Sequence, residues 1–399
     1  MTQHRHSPRK ALLAAASVLA AYAVAGCETV RLNPAPPAEI SADKDDVVDR
    51  REIVVLVNTA SASDELQRKS WRLGYRLKSK HVLPELDLVL LTFTIPNGMD
   101  GGSAIRELEA LEAAATAGVN HGYTVQADET ASSMRHYANK LIGWPSEGCP
   151  AQRRIGVIDA GIGAAAERFT KARITERDFT TAEPKRSDHG ETITALIAGD
   201  GRLTDASIYL AGVISDTPQM QAASGVDRIV LALDWLLGQD VDVINISLAG
   251  PYNKILDRAF DQAAKNGVVI VAAGGNAGPS SPPRYPAAFA SVIAVTAVNA
   301  DGALHDNAVR GPHIDFAAPG VDIAVPPPGV ARYTSGTSIA APFVTARIAA
   351  DASLVTVTDV RTLKSALAQG AVDLGPQGPD PEFGLGLITT PPGCGRSET

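Results

Sequence analysis

The 399-residue chain has no excess of basic charge: 36 Lys and Arg stand against 44 Asp and Glu, for a formal net charge of -8. The charged side chains of residues 1–26 are Arg5, Arg9 and Lys10, so whatever follows them is more acidic still. That balance lacks the electrostatic footprint of a protein that binds nucleic acid. Cysteine is scarce, with three residues in all, so one intramolecular disulfide is the most the chain can form. Long hydrophobic runs are missing too: Ala11 to Ala25 falls short of the roughly 20 residues that span a bilayer comfortably. The aspartates of Asp43-Lys44-Asp45-Asp46 lack the central glycine and terminal glutamate of a calcium loop, which leaves a solvated linker. What is present is a chain 45% apolar and 20% charged, too rich in core formers to be disordered and longer than one typical domain.

The amino terminus reads as an export signal, with a basic start, the apolar run and then Gly26-Cys27. Val24-Ala25-Gly26-Cys27 resembles the lipobox of bacterial lipoproteins, in which the signal (residues 1–26) is cut before a cysteine that carries lipid. An ordinary cleaved signal, or an uncleaved anchor with Cys27 incidental, is the alternative. The resemblance implies lipidation of Cys27 and attachment to the cell envelope. Glu28, rather than Asp, after the cysteine points to the outer membrane, facing the periplasm or the exterior. Residues 27–50, with Pro34, Pro36 and Pro37, read as an extended tether. Export to an oxidising compartment would allow Cys149 and Cys394 to pair, although two free thiols satisfy the sequence as well.

Residues 51–126 carry a compact pattern of strand 52–57, helix 63–75, alternating strand 86–94, helix 104–117 and strand 119–125. It predicts a small α+β, ferredoxin-like domain built on a split β-α-β unit, followed by a junction at 127–152. Residues 153–388 alternate short, nearly continuous apolar runs (154–158, 207–214, 241–248, 268–274 and 291–298) with helical patterns near 219–237 and 254–266. Such alternation predicts an α/β domain with a parallel sheet flanked by helices. Residues 389–399 read as a tail.

Gly336-Thr337-Ser338-Ile339-Ala340-Ala341-Pro342 sets a serine where a glycine turn becomes a helix. Pro342 has no amide hydrogen to give the carbonyl of Ser338. A serine hydroxyl is a poor nucleophile near neutral pH, so it needs a base, an orienting carboxylate and an oxyanion site. Asp159, in Asp159-Ala160-Gly161, closes a buried strand at the sheet edge where ligands bind in open α/β folds. His189 falls in the first turn of a helix opened by Ser187 or Asp188. It is the best placed histidine: His4 and His6 fall in the signal, His81 and His121 in the first domain, His136 at the junction, and His305 and His313 among turn residues. Asn245-Ile246-Ser247-Leu248-Ala249-Gly250-Pro251 stops at small residues, leaving backbone free to pair with an extended peptide. Ala272-Ala273-Gly274-Gly275-Asn276-Ala277-Gly278 ends in an amide among glycines. Each piece alone has a plainer reading as turn, cap or core.

In this order and spacing the pieces resemble the subtilase family of serine proteases over roughly Arg153 to Ile388, with Ala318-Pro319-Gly320 and Phe383-Gly384-Leu385-Gly386-Leu387 as supporting matches. The resemblance implies an endopeptidase that hydrolyses peptide bonds through an acyl-enzyme. In it Ser338 attacks, His189 moves the proton, Asp159 orients the imidazole, and Asn276 with the Ser338 backbone N–H holds the oxyanion. Ser247, Leu248, Ala249, Gly250 and Gly274 then line the polypeptide substrate. It further implies that residues 51–126 are an inhibitory propeptide of a self-inhibited precursor, processed between about Tyr123 and His136; a separate binding domain is the alternative.

No metal or cofactor is required by this pattern. Residues 199–207 are too short and too poor in acids for a calcium-binding insertion, so calcium is possible but unsupported. Ala160, where Thr or Ser is usual, and Glu191-Thr192, where Thr-His often follows, depart from the pattern without touching a triad side chain. The short loop from Ala277 to Tyr285 has no acid at its floor, which favours an apolar side chain before the scissile bond over a basic one. A rival from another class is a catalytically silent, lipid-anchored scaffold or binding module on a protease fold.

Overall fold

Glu52–Val57 (β1) is buried at every position, which explains why it reads as a continuous apolar run: it is an inner strand covered on both faces. The computed structural model describes residues 47–125, 128–129, 137–180, 188–215, 222–325 and 332–394. The expected signal, Cys27, Glu28, most of the tether, Ser187, His136 and the last five residues of the tail lie outside the described residues.

After β1 come α1 (Ala60–Arg72), β2 (Arg76–Leu83), β3 (Leu88–Thr94), α2 (Gly101–Leu111) and β4 (Thr116–Val119). The four strands form an antiparallel sheet of order β2-β3-β1-β4. Strand β2 is absent from the sequence expectation because it is an edge strand, Arg-Leu-Lys-Ser-Lys-His-Val-Leu, whose lysines guard an unpaired edge rather than fill a core. Helix α1 lies three residues earlier than expected because the Thr59 hydroxyl accepts the Ala62 N–H and starts it there. The strand expected over 119–125 breaks at Asn120-His121: β4 stays in this sheet, while β5 (Gly122–Val125) leaves it.

The chain continues through β6 (Asp128–Glu129), α3 (Ala138–Ile142) and β7 (Cys149–Pro150) into the larger layer. There follow β8 (Ile155–Asp159), β9 (Ala172–Asp178), α4 (Asp188–Ala198), β10 (Leu203–Thr204), β11 (Ala206–Gly212), β12 (Ala223–Gly225) and α5 (Val226–Leu237). Next are β13 (Val243–Ile246), β14 (Leu248–Ala249), α6 (Lys254–Lys265), β15 (Val269–Ala273) and β16 (Val292–Val298). The last are β17 (Phe316–Pro319), β18 (Ile323–Val325), β19 (Arg332–Ser335), α7 (Thr337–Ala350) and α8 (Val360–Ala368).

Seven of these strands form one parallel sheet of order β17-β16-β15-β13-β8-β11-β9. From β8 the chain first completes one side of the sheet, with β9 at the edge and β11 between, and then the other, starting with β13. The carboxyl end of β8 is therefore the switch point at which a crevice opens, and Asp159 is its last residue. One face of the sheet is covered by α7, which is buried along its whole length. The other face is covered by α5 and α6. Val54, Leu56, Leu88 and Leu90 of the small sheet pack into that same second core, and Ile53, Val55, Leu91 and Phe93 face α1 and α2. Cys149 and Cys394 form a disulfide with 5.5 Å between Cα atoms, tying β7 to the tail.

Candidate active site

Asp159 is fully buried at the end of β8, and its Oδ1 lies 2.7 Å from Nδ1 of His189. His189 sits in the first turn of α4. Gly190 lets that turn come close: a β-carbon there would stand 2.1 Å from the carbonyl oxygen of Ala160, so no other residue allows the helix to touch the strand end. On the other side of the ring, Nε2 lies 3.2 Å from Oγ of Ser338. The Ala160 N–H donates to the same Asp159 Oδ1 at 2.7 Å and fixes the carboxylate without help from a side chain at position 160. Asp159, His189 and Ser338, 149 residues apart at the extremes of the last pair, thus make one hydrogen-bonded line.

Ser338 is the second residue of α7, held there by Gly336, whose φ of 144° excludes most side chains. Pro342 has no N–H to offer the Ser338 carbonyl, which accepts from the Ser247 hydroxyl at 3.1 Å. A chain of hydrogen bonds stands behind that contact: Thr345 Oγ1 donates to Asn245 Oδ1 at 3.0 Å, and Asn245 Nδ2 donates to Ser247 Oγ at 2.9 Å. Ser247 therefore fixes the peptide group of Ser338 itself.

The side chain of Asn276 is oriented by Thr337. Its Oδ1 accepts both the Thr337 N–H and the Thr337 hydroxyl, each at 3.0 Å, and the Thr337 Oγ1 in turn accepts the Gly275 N–H at 3.0 Å. The amide oxygen of Asn276 is thus held twice by the residue that precedes Ser338. Gly274 is fixed by its N–H to Val295 O at 2.8 Å. Thr337, Asn245 and Thr345 escape sequence reasoning because a small hydroxyl or amide in an apolar run looks like ordinary core.

The backbone edge that continues from Ser247 is paired by the chain itself. Strand β5 lies between β12 and β14, with Thr124 opposite both Ala223 and Ala249, and Val125 opposite Leu248. Sequence reasoning anticipated the Leu248 wall but not the Ala223-Ser224-Gly225 wall, whose residues carry no chemistry. Tyr123 is fully buried over Gly250, where a β-carbon would stand 2.6 Å from its ring, and its hydroxyl donates to Pro251 O at 2.8 Å. Beyond the nucleophile, β6 pairs with β19, Asp128 opposite Ser335. Burial pushes the Tyr285 phenol up to about 12, so it stays neutral. Among the described residues no group of three or more His, Cys, Asp or Glu is placed to hold a metal ion, and no helix is long and apolar enough to cross a membrane.

The arrangement has counterparts in known proteins. The model of the subtilase family matches residues 152–386. The minor extracellular protease Epr of Bacillus subtilis is 31% identical over 245 residues, which is 59% of this chain and 37% of that protein. Subtilisin DY of Bacillus licheniformis is 30% identical over 254 residues, 60% of this chain and 89% of that protein. The chain spans little more than a third of Epr and most of subtilisin DY. Fervidolysin from Fervidobacterium pennivorans, a keratinolytic enzyme related to subtilisin, superposes with a TM-score of 0.67 at 19% identity, covering 86% of this chain and 60% of that one, a likeness of fold. With the family match running from the strand before Asp159 to the segment beyond Ser338, the chain belongs to the subtilase family of serine proteases.

Proposed function

We propose that this protein is an exported serine endopeptidase made as a self-inhibited, lipid-anchored precursor. The observation that carries the catalytic part is the continuous hydrogen-bonded line from Asp159 through His189 to Ser338. In the forward reaction Ser338 Oγ attacks the scissile carbonyl carbon as its proton passes to His189 Nε2. Asp159, accepting from Nδ1–H, fixes the tautomer and stabilises the imidazolium. The oxyanion that forms is held by the Asn276 amino group and the Ser338 N–H. His189 then gives the proton to the leaving amine, and water repeats the sequence on the acyl-enzyme. Polypeptide substrate adds as a strand between β12 and β14, gaining backbone hydrogen bonds that do not depend on its side chains.

The precursor part rests on β5, which fills that groove, and on the contacts that hold the 51–126 domain in place. Asp234 Oδ1 accepts the Glu85 and Leu86 N–H groups at 3.0 and 3.2 Å, Lys254 pairs with Glu109, and Arg258 donates to Thr116 Oγ1 at 2.6 Å. A peptide in the register of β5 sets the residue after the one opposite Leu248 beside Ser247 and the nucleophile. A cut after Gln126, itself outside the described residues, is the consequence. Lipid on Cys27 would then remain with the propeptide, and maturation would free the protease from the membrane.

A serine-directed fluorophosphonate tests the reading: the full chain is expected to label, Ser338→Ala to stay unlabelled and uncut, and the active product to begin at Ala127. Absence of labelling after the amino-terminal segment is removed favours the silent scaffold instead. Cys27→Ala is expected to abolish incorporation of radiolabelled palmitate, and lipid found on the same uncut chain as a fully active Ser338 would sink the release model.

A further inference from the structure

Two walls of backbone leave the carboxyl ends of the adjacent strands β13 and β15. One is the run Ser247 to Gly250, the other Ala273 to Gly275, and all of these residues are buried. Where the walls converge, they are joined by one residue pair. Tyr285 exchanges both backbone hydrogen bonds with Gly250, at 2.8 and 2.9 Å, and closes the first wall. Arg284, its neighbour, lays its aliphatic stem on the second: a β-carbon at Gly275 would stand 2.9 Å from Arg284 Cγ and 3.1 Å from its Cβ. Gly275 has its N–H on Thr337 and its C=O on Val309, so the arginine stem rests on a fixed backbone one residue before the oxyanion asparagine.

Arg284 makes no side-chain hydrogen bond or ion pair among the described residues, whereas Arg153, Arg202 and Arg258, which also lack a carboxylate partner, donate to carbonyl, amide or hydroxyl oxygens. Among the described residues Arg310 pairs with Glu382, Lys364 with Asp315 and Arg347 with Asp351, but no carboxylate pairs with Arg284, which is half-buried. A guanidinium partly shielded from water and lacking an anion offers a planar fork that matches a carboxylate. A lysine or arginine brought to the same place meets like charge.

Resting on the protease reading above, we infer that Arg284 forms the floor of the pocket for the side chain preceding the scissile bond and selects an acidic one, glutamate or aspartate. An acidic side chain differs from the apolar one expected from the absence of an acid in the 277–285 loop; that loop's arginine is what favours it.

The test uses the full chain after it has processed itself and a set of internally quenched peptides that differ only before the scissile bond, in Glu, Gln, Leu or Lys. The expected order of kcat/KM is Glu above Gln and Leu, with Lys lowest. Arg284→Gln is expected to lower the ratio of glutamyl to leucyl kcat/KM roughly ten- to hundredfold, the worth of a charge-assisted hydrogen bond. Arg284→Lys, which keeps the charge and loses the fork, should fall between, and Arg284→Glu should favour the lysyl peptide. Fluorophosphonate labelling of Ser338 in each variant separates the two readings. If labelled parent enzyme cleaves the leucyl peptide as well as the glutamyl one, and Arg284→Gln leaves the ratio within twofold, the pocket assignment is wrong while the protease reading stands. Loss of both labelling and hydrolysis in the parent would remove both.

Discussion

At the scale of single residues, the members of the hydrogen-bonded line Asp159-His189-Ser338 were legible in the sequence because each sits in a short motif with glycine neighbours, and those glycines have geometric work: Gly190 admits the His189 helix to the end of β8, and Gly336 turns the chain into α7. The residues that aim the site were not legible. Thr337 grips the Asn276 amide oxygen by two hydrogen bonds, yet its position in a buried helix start makes it look like a packing residue. Two substitutions separate the roles. In the proposed mechanism Asn276→Leu removes the oxyanion donor, and it is expected to lower kcat by roughly 10²- to 10³-fold with KM little changed, the loss measured for a member of this family. Thr337→Val keeps the shape and the N–H bond to Asn276 while losing the hydroxyl's bonds to Asn276 and to the Gly275 N–H, so a loss in kcat smaller than that of Asn276→Leu is expected, again at constant KM. Steady-state kinetics on one peptide checks both; a rise in KM at unchanged kcat in either variant would assign these residues to substrate binding instead.

Among elements, the parallel sheet could be read from its apolar runs because strands buried on both faces have no alternation to confuse. Edge strands β2 and β9, polar and half exposed, carry too little hydrophobic signal to be seen. The break between β4 and β5 was hidden for another reason: both halves are strand-like, and only their partners differ. Ion pairing between elements is equally silent in sequence. Lys364 of α8 donates to Val292 O and to Asp315 Oδ2, each at 2.8 Å, while Asp315 also accepts the Ala294 N–H at 2.8 Å. The ammonium thus joins the helix to the ends of β16 and β17 inside the core. Lys364→Met would remove the cation from a carboxylate that is 1% exposed, and a loss of about 3–5 kcal/mol in unfolding free energy is expected. Adding Asp315→Leu should recover part of it. Denaturant unfolding of the three variants checks this, and a Lys364→Met chain as stable as its parent would show that the pair carries no net weight.

For the whole molecule, the question is what holds the small sheet on the large layer, and two titratable groups at the seam answer with opposite signs. His121 is buried, and desolvation lowers its pKa to about 4. Its environment enforces the neutral form: Asn253 Oδ1 caps α6 by accepting the Ile255 and Leu256 N–H groups, so Asn253 Nδ2 is left to donate to His121 Nδ1 at 3.0 Å. The neighbouring Asn120 Nδ2 lies between Glu52 and Asp227, at 3.2 and 3.3 Å. A histidine whose docked pKa lies below its ordinary 6.5 favours docking fully above pH 6.5, and that contribution is lost as pH falls toward 4, amounting to about 3 kcal/mol at the acid end. Asp234 runs the other way. Burial against the Glu85-Leu86 turn raises it from 3.8 to about 6, so its docked form binds a proton more readily, and docking is penalised as pH rises through 6 and relieved as it falls toward 3.8. Between pH 6.5 and 4 the two oppose each other, and the parent chain is expected to respond weakly to acid. Each variant should expose the other group's dependence. In an uncut Ser338→Ala background, Asp234→Asn removes the acid-side gain and should open the seam steeply as pH drops from 6.5 to 4. His121→Gln, which keeps an acceptor for Asn253 and loses the titration, should close it instead. Hydrogen–deuterium exchange of the amides in residues 116–125, corrected for intrinsic rates, reads the opening without involving catalysis. Parallel pH profiles for the two variants would mean that the seam is held by the buried strands alone, and that neither group sets the conditions under which the groove is vacated.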